Sequence, residues 1–196
     1  KNEEKILINN ILKQIKQHDL VIVSDYGHGL ITEKIANLVV RKSKFVSVNA
    51  QLNAANVGYH TISKYKNADL VIINENEMRH EMRNKSDELN TLIKLLSLKI
   101  KSKFTTVTSG DKGSTTLIKK NKKIIKCPAF AFKVLDKIGA GDTMLAFLSL
   151  AVFKKIDMKF SMFLSALAAA FNVENEANSK VLKKADIVKS AEAYLK

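Results

Sequence analysis

The sequence predicts an α/β fold built on a mostly parallel sheet flanked by helices. Short apolar runs of strand length alternate with stretches of helical periodicity along most of the chain. At least three of those runs (LVIVSD, FVSVNA and ADLVIIN) are nearly continuous in apolar residues, as strands buried on both faces are. Between them lie the helices that a parallel sheet needs for its right-handed crossovers.

In chain order, residues 2–18 place Ile6, Leu7, Ile11, Leu12 and Ile15 at helical spacing. A strand follows at 20–25, then a helix over Thr32–Arg41 opened by an N-capping threonine. Residues 45–50 and 68–74 read as the second and third strands. Helices around 75–83 and 86–101 lead into a fourth strand at 104–109. Residues 114–127 read as a hairpin turning at Lys120–Asn121. Beyond 142 the pattern is helical to about 156, over 159–173 and over 185–195. No internal repeat and no Pro/Gly linker interrupts the chain, so 1–196 reads as a single domain. The stretch 51–65 reads as a long polar loop.

Composition narrows the function classes. A 46% hydrophobic content suits a folded domain with a real core. The longest apolar runs are about half the roughly 20 residues a membrane helix requires, and no cleavable signal pattern is visible. The one cysteine, Cys127, excludes an internal disulfide and a multi-cysteine metal site. It reads as structural, and a reducing, cytoplasmic setting is expected. The net charge of +14 invites nucleic acid. Yet the lysines are dispersed, the KKNKK cluster at 119–123 falls on the expected hairpin tip, and no aromatic-interleaved platform accompanies them. Neither nucleic acid nor membrane is expected as a partner; an anionic small substrate gains equally from the positive field.

The chemistry concentrates at strand ends, where open parallel sheets bind ligands. Those ends read SDYGHG, NAQ, NENE and TSGDKG. A further stretch, GAGD at 139–142, opens a helix in a chain with only seven glycines. Two readings fit it: a turn capped by Asp142, or a cradle of unpaired backbone N–H groups for phosphate, backed by the helix dipole.

Three of these motifs together, GAGDT before a helix, Asn74-x-x-Glu77 and TSGDKG after a strand, resemble the PfkB, or ribokinase-like, family of ATP-dependent carbohydrate kinases. The family signature is close to D-T-x-G-A-G-D; here it reads Asp136-Lys137-Ile138-Gly139-Ala140-Gly141-Asp142. Within the family, VIVSDYGHGLIT is most similar to the heptose-7-phosphate kinase branch. The resemblance implies a ribokinase-like fold of which the chain matches the C-terminal two-thirds, with the N-terminal strands, the sugar-contacting glycine motif and the β lid absent. It implies Asp142 as base, with the backbone of Gly139, Ala140 and Gly141 as anion hole. It assigns Ser109, Gly110, Asp111 and Gly113 to the nucleotide phosphates, and Asn74 and Glu77 to Mg2+. On the substrate side it offers Asp25, Asn49 and Gln51.

The partners implied are ATP, a sugar or sugar phosphate, a nucleotidyltransferase fused to or paired with the kinase, and a second copy in a homodimer. Each assignment has a plain structural counterpart. Glu75 and Glu77 favour a helix start, and D-K-G is ordinary turn chemistry. Lys137 and Ile138 stand where the signature carries small residues, which leaves a monovalent cation open. Asn49-Ala50-Gln51 stands where the branch shows D-P-K, and Leu167 where the adenine-flanking segment shows Asn. These departures support the alternative, a non-catalytic nucleotide- or sugar-phosphate-binding module of a larger fused protein.

Overall fold

The computed structural model describes residues 2–52, 61–136, 138–175 and 180–195. Among them run α1 (Asn2–Ile15), β1 (Val21–Asp25), α2 (Glu33–Lys42), β2 (Val46–Ala50), β3 (Leu70–Asn74), α3 (Glu75–Met82) and α4 (Leu89–Ile100). Then follow β4 (Phe104–Thr108), β5 (Ser114–Ile118), β6 (Lys123–Cys127), α5 (Ala140–Phe153), α6 (Met158–Val173) and α7 (Lys184–Leu195). The strands form one six-stranded sheet in sequential order, β1 to β6. β1 pairs parallel with β2, Val21 opposite Val46 and Asp25 opposite Ala50, and β2 pairs parallel with β3. The short connections after β4 and β5 are too brief for parallel crossovers and make the later strands hairpins.

The chain divides into two compact units, Lys1–Thr106 with Leu117–Lys123, and Val107–Thr116 with Ile124–Lys196. In the first, Leu70, Val71, Ile72 and Ile73 are all buried, as the unbroken apolar run of β3 requires. α4 turns Leu92, Ile93, Leu96 and Ile100 inward and leaves Leu95 and Leu98 outside, an amphipathic stripe at helical period. Thr32 caps α2 as its sequence predicts, its Oγ1 accepting from Ile35 N. α1 ends at Ile15, and Ile6 is 57% exposed. Spacing specifies a helix and an apolar face there, but not a partner to cover all of it.

In the second unit α5 and α6, joined by the short connection 154–157, pack against each other. The buried hydroxyls of Ser161 and Ser165 on α6 donate to the carbonyls of Asp157 and Ser161, four residues back, so they enter the contact already satisfied. Asp157 caps α6 by accepting from Lys159 N and Phe160 N. Leu167 is buried on α6, where its side chain contributes to packing. Cys127 is buried, and burial pushes its thiol up to about 11, which keeps it unreactive. Lys119–Asn121 form the tight turn of the β5–β6 hairpin, and the KKNKK tip is exposed.

The loop expected at 51–65 is overturned at its C-terminal end; residues 53–60 lie outside the described residues. Ile62–Lys64 form a short 3-10 turn, and Ile62 and Tyr65 are core residues. The polar composition of the stretch hides an apolar pair spaced three apart, and bonds to Asp25 let the polar ends of Lys64 and Tyr65 follow it inward. No helix among the described residues is long and apolar enough to cross a membrane.

Candidate active site

In the second unit, α5 opens earlier than the Asp142 cap that the sequence suggests. Gly139 is the N-cap, at φ 82° and ψ −9°, a left-handed conformation that glycine adopts without steric cost. Its carbonyl accepts from Thr143 N at 2.9 Å, which closes the first turn. Asp142 therefore stands in the first turn rather than before it, where the helix dipole favours a carboxylate. The approach to Gly139 is stapled down. Leu135 N and Asp136 N both donate to Val173 O at the end of α6, Ile138 N donates to Asp136 Oδ1, and Asn172 Nδ2 donates to Ile138 O.

Gly141 is the informative glycine. Its φ is ordinary, and a Cβ added there would meet nothing within 4 Å. Neither backbone conformation nor packing calls for glycine, although glycine in a helix is less stable than alanine by about 0.5–1 kcal/mol. Asp142, the next residue, lines an open cavity of about 430 Å3 together with Thr143 and Phe147 of α5, Asn172 of α6, and Lys180 and Leu182 of the segment between α6 and α7. This volume lies within the range of small-molecule sites. Sequence reasoning missed Thr143, Phe147, Asn172 and Lys180; the spacing of Thr143 and Phe147, one helical turn apart, was the available signal.

The loop after β4 is a turn. Ser109 N donates to Gly113 O at 2.8 Å, and Gly110 and Gly113 have φ of 58° and 84°. Gly113 has a packing reason of its own. A Cβ there would lie 2.1 Å from Cys127 O and 2.6 Å from the carbonyl carbon of Pro128. Gly110 meets nothing within 4 Å, and Asp111 is exposed.

In the first unit the remaining candidates lie at the sheet's carboxyl edge, in three separate sets of hydrogen bonds. Asn74 caps α3, its Oδ1 accepting from Asn76 N, while Glu77 Oε2 accepts from Asn74 N at 2.9 Å; together they form a capping box. Glu77 Oε1 accepts from Leu52 N at 3.2 Å. Burial pushes the Glu77 carboxyl above its ordinary value, opposed by these two backbone donors. Gln51 N donates to Asp25 O, and Asn49 Nδ2 donates to Ile72 O on the neighbouring strand. Asp25 is 4% exposed and holds Lys64 and Tyr65. Neither of those partners is evident from the sequence, where both sit in a polar stretch.

Among the described residues no group of three or more His, Cys, Asp or Glu side chains forms a metal cage. Magnesium does not need one, since it keeps several waters and takes one or two carboxylates plus substrate phosphates. Glu77 fits that mode: each oxygen carries one backbone donor and retains acceptor capacity toward a bound water.

The chain is similar to known proteins in sequence and in fold. The model of the pfkB family of carbohydrate kinases matches residues 40–185, a span that includes β3, the Ser109–Gly113 turn and GAGD. The bifunctional protein HldE of Campylobacter curvus is 31% identical over 173 residues, covering 86% of this chain and 36% of that protein. HldE of Helicobacter pylori strain G27 is 28% identical over 170 residues, covering 85% of the chain and 35% of that protein. The chain thus spans about a third of the length of these curated relatives. Among solved structures, Arabidopsis thaliana ribokinase complexed with ribose and ATP superposes with a TM-score of 0.76 at 19% identity, over 92% of this chain and 58% of that one. Escherichia coli phosphofructokinase-2 in complex with potassium gives 0.77 at 14% identity, over 96% and 62%. The fold is ribokinase-like, and by the span and motifs of the match the chain belongs to the pfkB family of carbohydrate kinases.

Proposed function

We propose that this chain is the nucleotide-binding and catalytic part of a sugar kinase that transfers the γ-phosphoryl group of ATP to a hydroxyl of a sugar or sugar phosphate. In this reading residues 1–196 are the C-terminal portion of one ribokinase-like domain. The observation that carries it is Gly139-Ala140-Gly141-Asp142 at the start of α5: a helix opening beside a cavity, with a glycine that the fold does not require and a carboxylate in the first turn.

The chemistry follows from that arrangement. Phosphoryl transfer demands positioning and charge stabilisation more than covalent help. The backbone N–H groups at Gly139–Gly141 face the negative charge that spreads over the transferring group, and they need no reorganisation to do so. Asp142 accepts the proton of the sugar hydroxyl as its oxygen attacks the γ-phosphorus. The bond from that phosphorus to the bridging oxygen breaks, and ADP leaves with the electron pair. A carboxylate is a weak base toward an alcohol, so Asp142 takes the proton as attack proceeds rather than before.

The Ser109–Gly113 turn lies along the nucleotide phosphates in this reading. Asn74 and Glu77 would hold the hydrated Mg2+ that accompanies ATP, which would supply neutralisation of phosphate charge. The acceptor side is the carboxyl edge of β1 and β2. Heptose 7-phosphate is the foremost acceptor in this reading, from the likeness of VIVSDYGHGLIT to that branch; the net charge of +14 suits an anionic substrate. The name "bifunctional" carried by the HldE relatives supports a second activity beside the kinase, which we assign to a nucleotidyltransferase in a cytoplasmic protein.

The test is ADP release by the full natural polypeptide with heptose 7-phosphate, ribose and fructose as acceptors. Turnover with one acceptor is expected. Binding of ATP and Mg2+ without ADP release on any sugar would instead establish the non-catalytic binding module.

A further inference from the structure

The most polar-looking stretch of the first unit ends in one of its most buried clusters. Tyr65 is fully buried, and the Lys64 side chain is 10% exposed. An ammonium and a phenol are taken out of water only where each finds a partner. Both find Asp25 at the end of β1. Lys64 Nζ stands 2.6 Å from Asp25 Oδ2, and Tyr65 Oη donates to the same oxygen at 2.7 Å. The second carboxylate oxygen accepts from Gly27 N at 2.9 Å. Burial alone would raise the Asp25 pKa; the Lys64 and Tyr65 side chains and the Gly27 amide outweigh it and hold the carboxyl below its ordinary value.

Lys64 has a second role. Its Nζ also donates to Ile31 O at 2.8 Å. One ammonium thus ties both ends of the turn 25–31, through a carboxylate at the start and a carbonyl at the end. Inside the turn Gly27 and Gly29 run at φ 71° and 86°, and Tyr26 and His28 are carried to the surface. The main-chain carbonyl of Asp25 accepts from Gln51 N, so the exit of β2 is fastened to the same residue.

A buried ion pair is a poor source of net stability, since well-packed apolar replacements often do as well. What this one supplies is position. We propose that Asp25 is a positioning residue rather than a sugar ligand, and that Lys64 and Tyr65 are its partners. The cluster fixes the turn 26–30 and the Asn49–Gln51 exit at the carboxyl edge of β1 and β2, the edge assigned above to the acceptor. The acceptor side of this inference rests on the sugar-kinase reading; the clamp itself rests on the geometry alone.

The test uses Lys64→Met and Tyr65→Phe in the full natural polypeptide, with amide hydrogen exchange and steady-state kinetics as separate readouts. In Lys64→Met, exchange across residues 26–31 is expected to accelerate about tenfold or more, with the α4 amides unchanged. The KM for the sugar acceptor is expected to rise about tenfold, while that for ATP stays within about twofold. Tyr65→Phe, which keeps the ring and removes one hydrogen bond, moves the same readouts less and serves if Lys64→Met does not fold. A lowered melting temperature with unchanged exchange at 26–31, or an equal rise in both KM values, would overturn the proposal. If the wild type turns over no sugar, the kinase reading fails and the exchange measurement alone decides the clamp.

Discussion

Replacing Gly141 by alanine separates what the fold needs from what the chemistry needs. The residue lies in the first turn of α5 with an ordinary φ, and an added Cβ meets nothing within 4 Å. The methyl group therefore brings no strain, and alanine is the better helix former by about 0.5–1 kcal/mol. For a chain of this length each kcal/mol moves the melting temperature by about 2–4 °C, so Gly141→Ala is expected to melt about 1–4 °C higher. The same methyl would stand beside the helix-start N–H groups where a phosphate must approach closely. Alanine keeps the amide, so the effect is one of access: a methyl that holds the phosphate off one donor costs at most what losing the donor would, about 10²–10³ in rate, and kcat/KM for ATP is expected to fall about a hundredfold. Thermal melts by circular dichroism and ADP release by the same preparation measure both. A stabilised variant that still turns over ATP within about threefold of wild type would refute the cradle. A destabilised variant would refute the open space around Gly141.

Other positions carry equally definite expectations. Gly113→Ala combines a φ of 84° with a Cβ 2.1 Å from Cys127 O; strain and overpacking together should cost more than about 3 kcal/mol in urea unfolding. Gly110→Ala, at φ 58° with open space, should cost only about 1 kcal/mol, and equal costs at the two sites would contradict the turn geometry. Lys101, the C-cap of α4 at φ 62°, occupies a left-handed position that suits glycine. Lys101→Gly should gain about 0.5–1 kcal/mol of stability, read from the same urea midpoints. Asp25 has its pKa lowered in the folded chain, so the stability it contributes is fully present above the unfolded aspartate value of about 3.9 and is lost as pH falls through the folded value below it. Asp25→Asn should therefore flatten the acid limb of the urea midpoint below about pH 4; an unchanged limb would show that the Lys64 pair does not titrate with folding.

The sheet and its order of elements were legible because β3 and α4 speak clearly. Four consecutive apolar residues buried on both faces, and a stripe at helical period, have few alternative solutions. GAGD stood out as a candidate because two glycines flank one alanine at a helix start; the left-handed N-cap accounts for Gly139, and Gly141 alone is left without a structural reason. The offset at α5 arose because Asp142 is a good cap by type, while Gly139 in the left-handed region ends the preceding chain sooner. The Asp25 cluster was hidden for a different reason. Lys64 and Tyr65 are far from Asp25 in sequence and polar in composition, and only the parallel pairing of β1 with β2 brings the segment after β2 back to the end of β1. A buried pair of opposite charges leaves no periodic trace. The cavity beside Asp142 was half legible: its α5 wall is readable at helical spacing, while its Asn172 and Lys180 side is set by tertiary packing around the end of α6.

The most direct test of the central claim is ADP release by Asp142→Asn beside wild type in the full natural polypeptide, with the preferred sugar acceptor saturating. Asparagine keeps the size of the side chain and one acceptor oxygen but cannot take the proton. General-base contributions run at about 10²–10⁴-fold, so kcat is expected to fall by at least about a hundredfold while the melting temperature and the KM for ATP stay near wild type. A variant that retains kcat within about threefold would contradict Asp142 as the base.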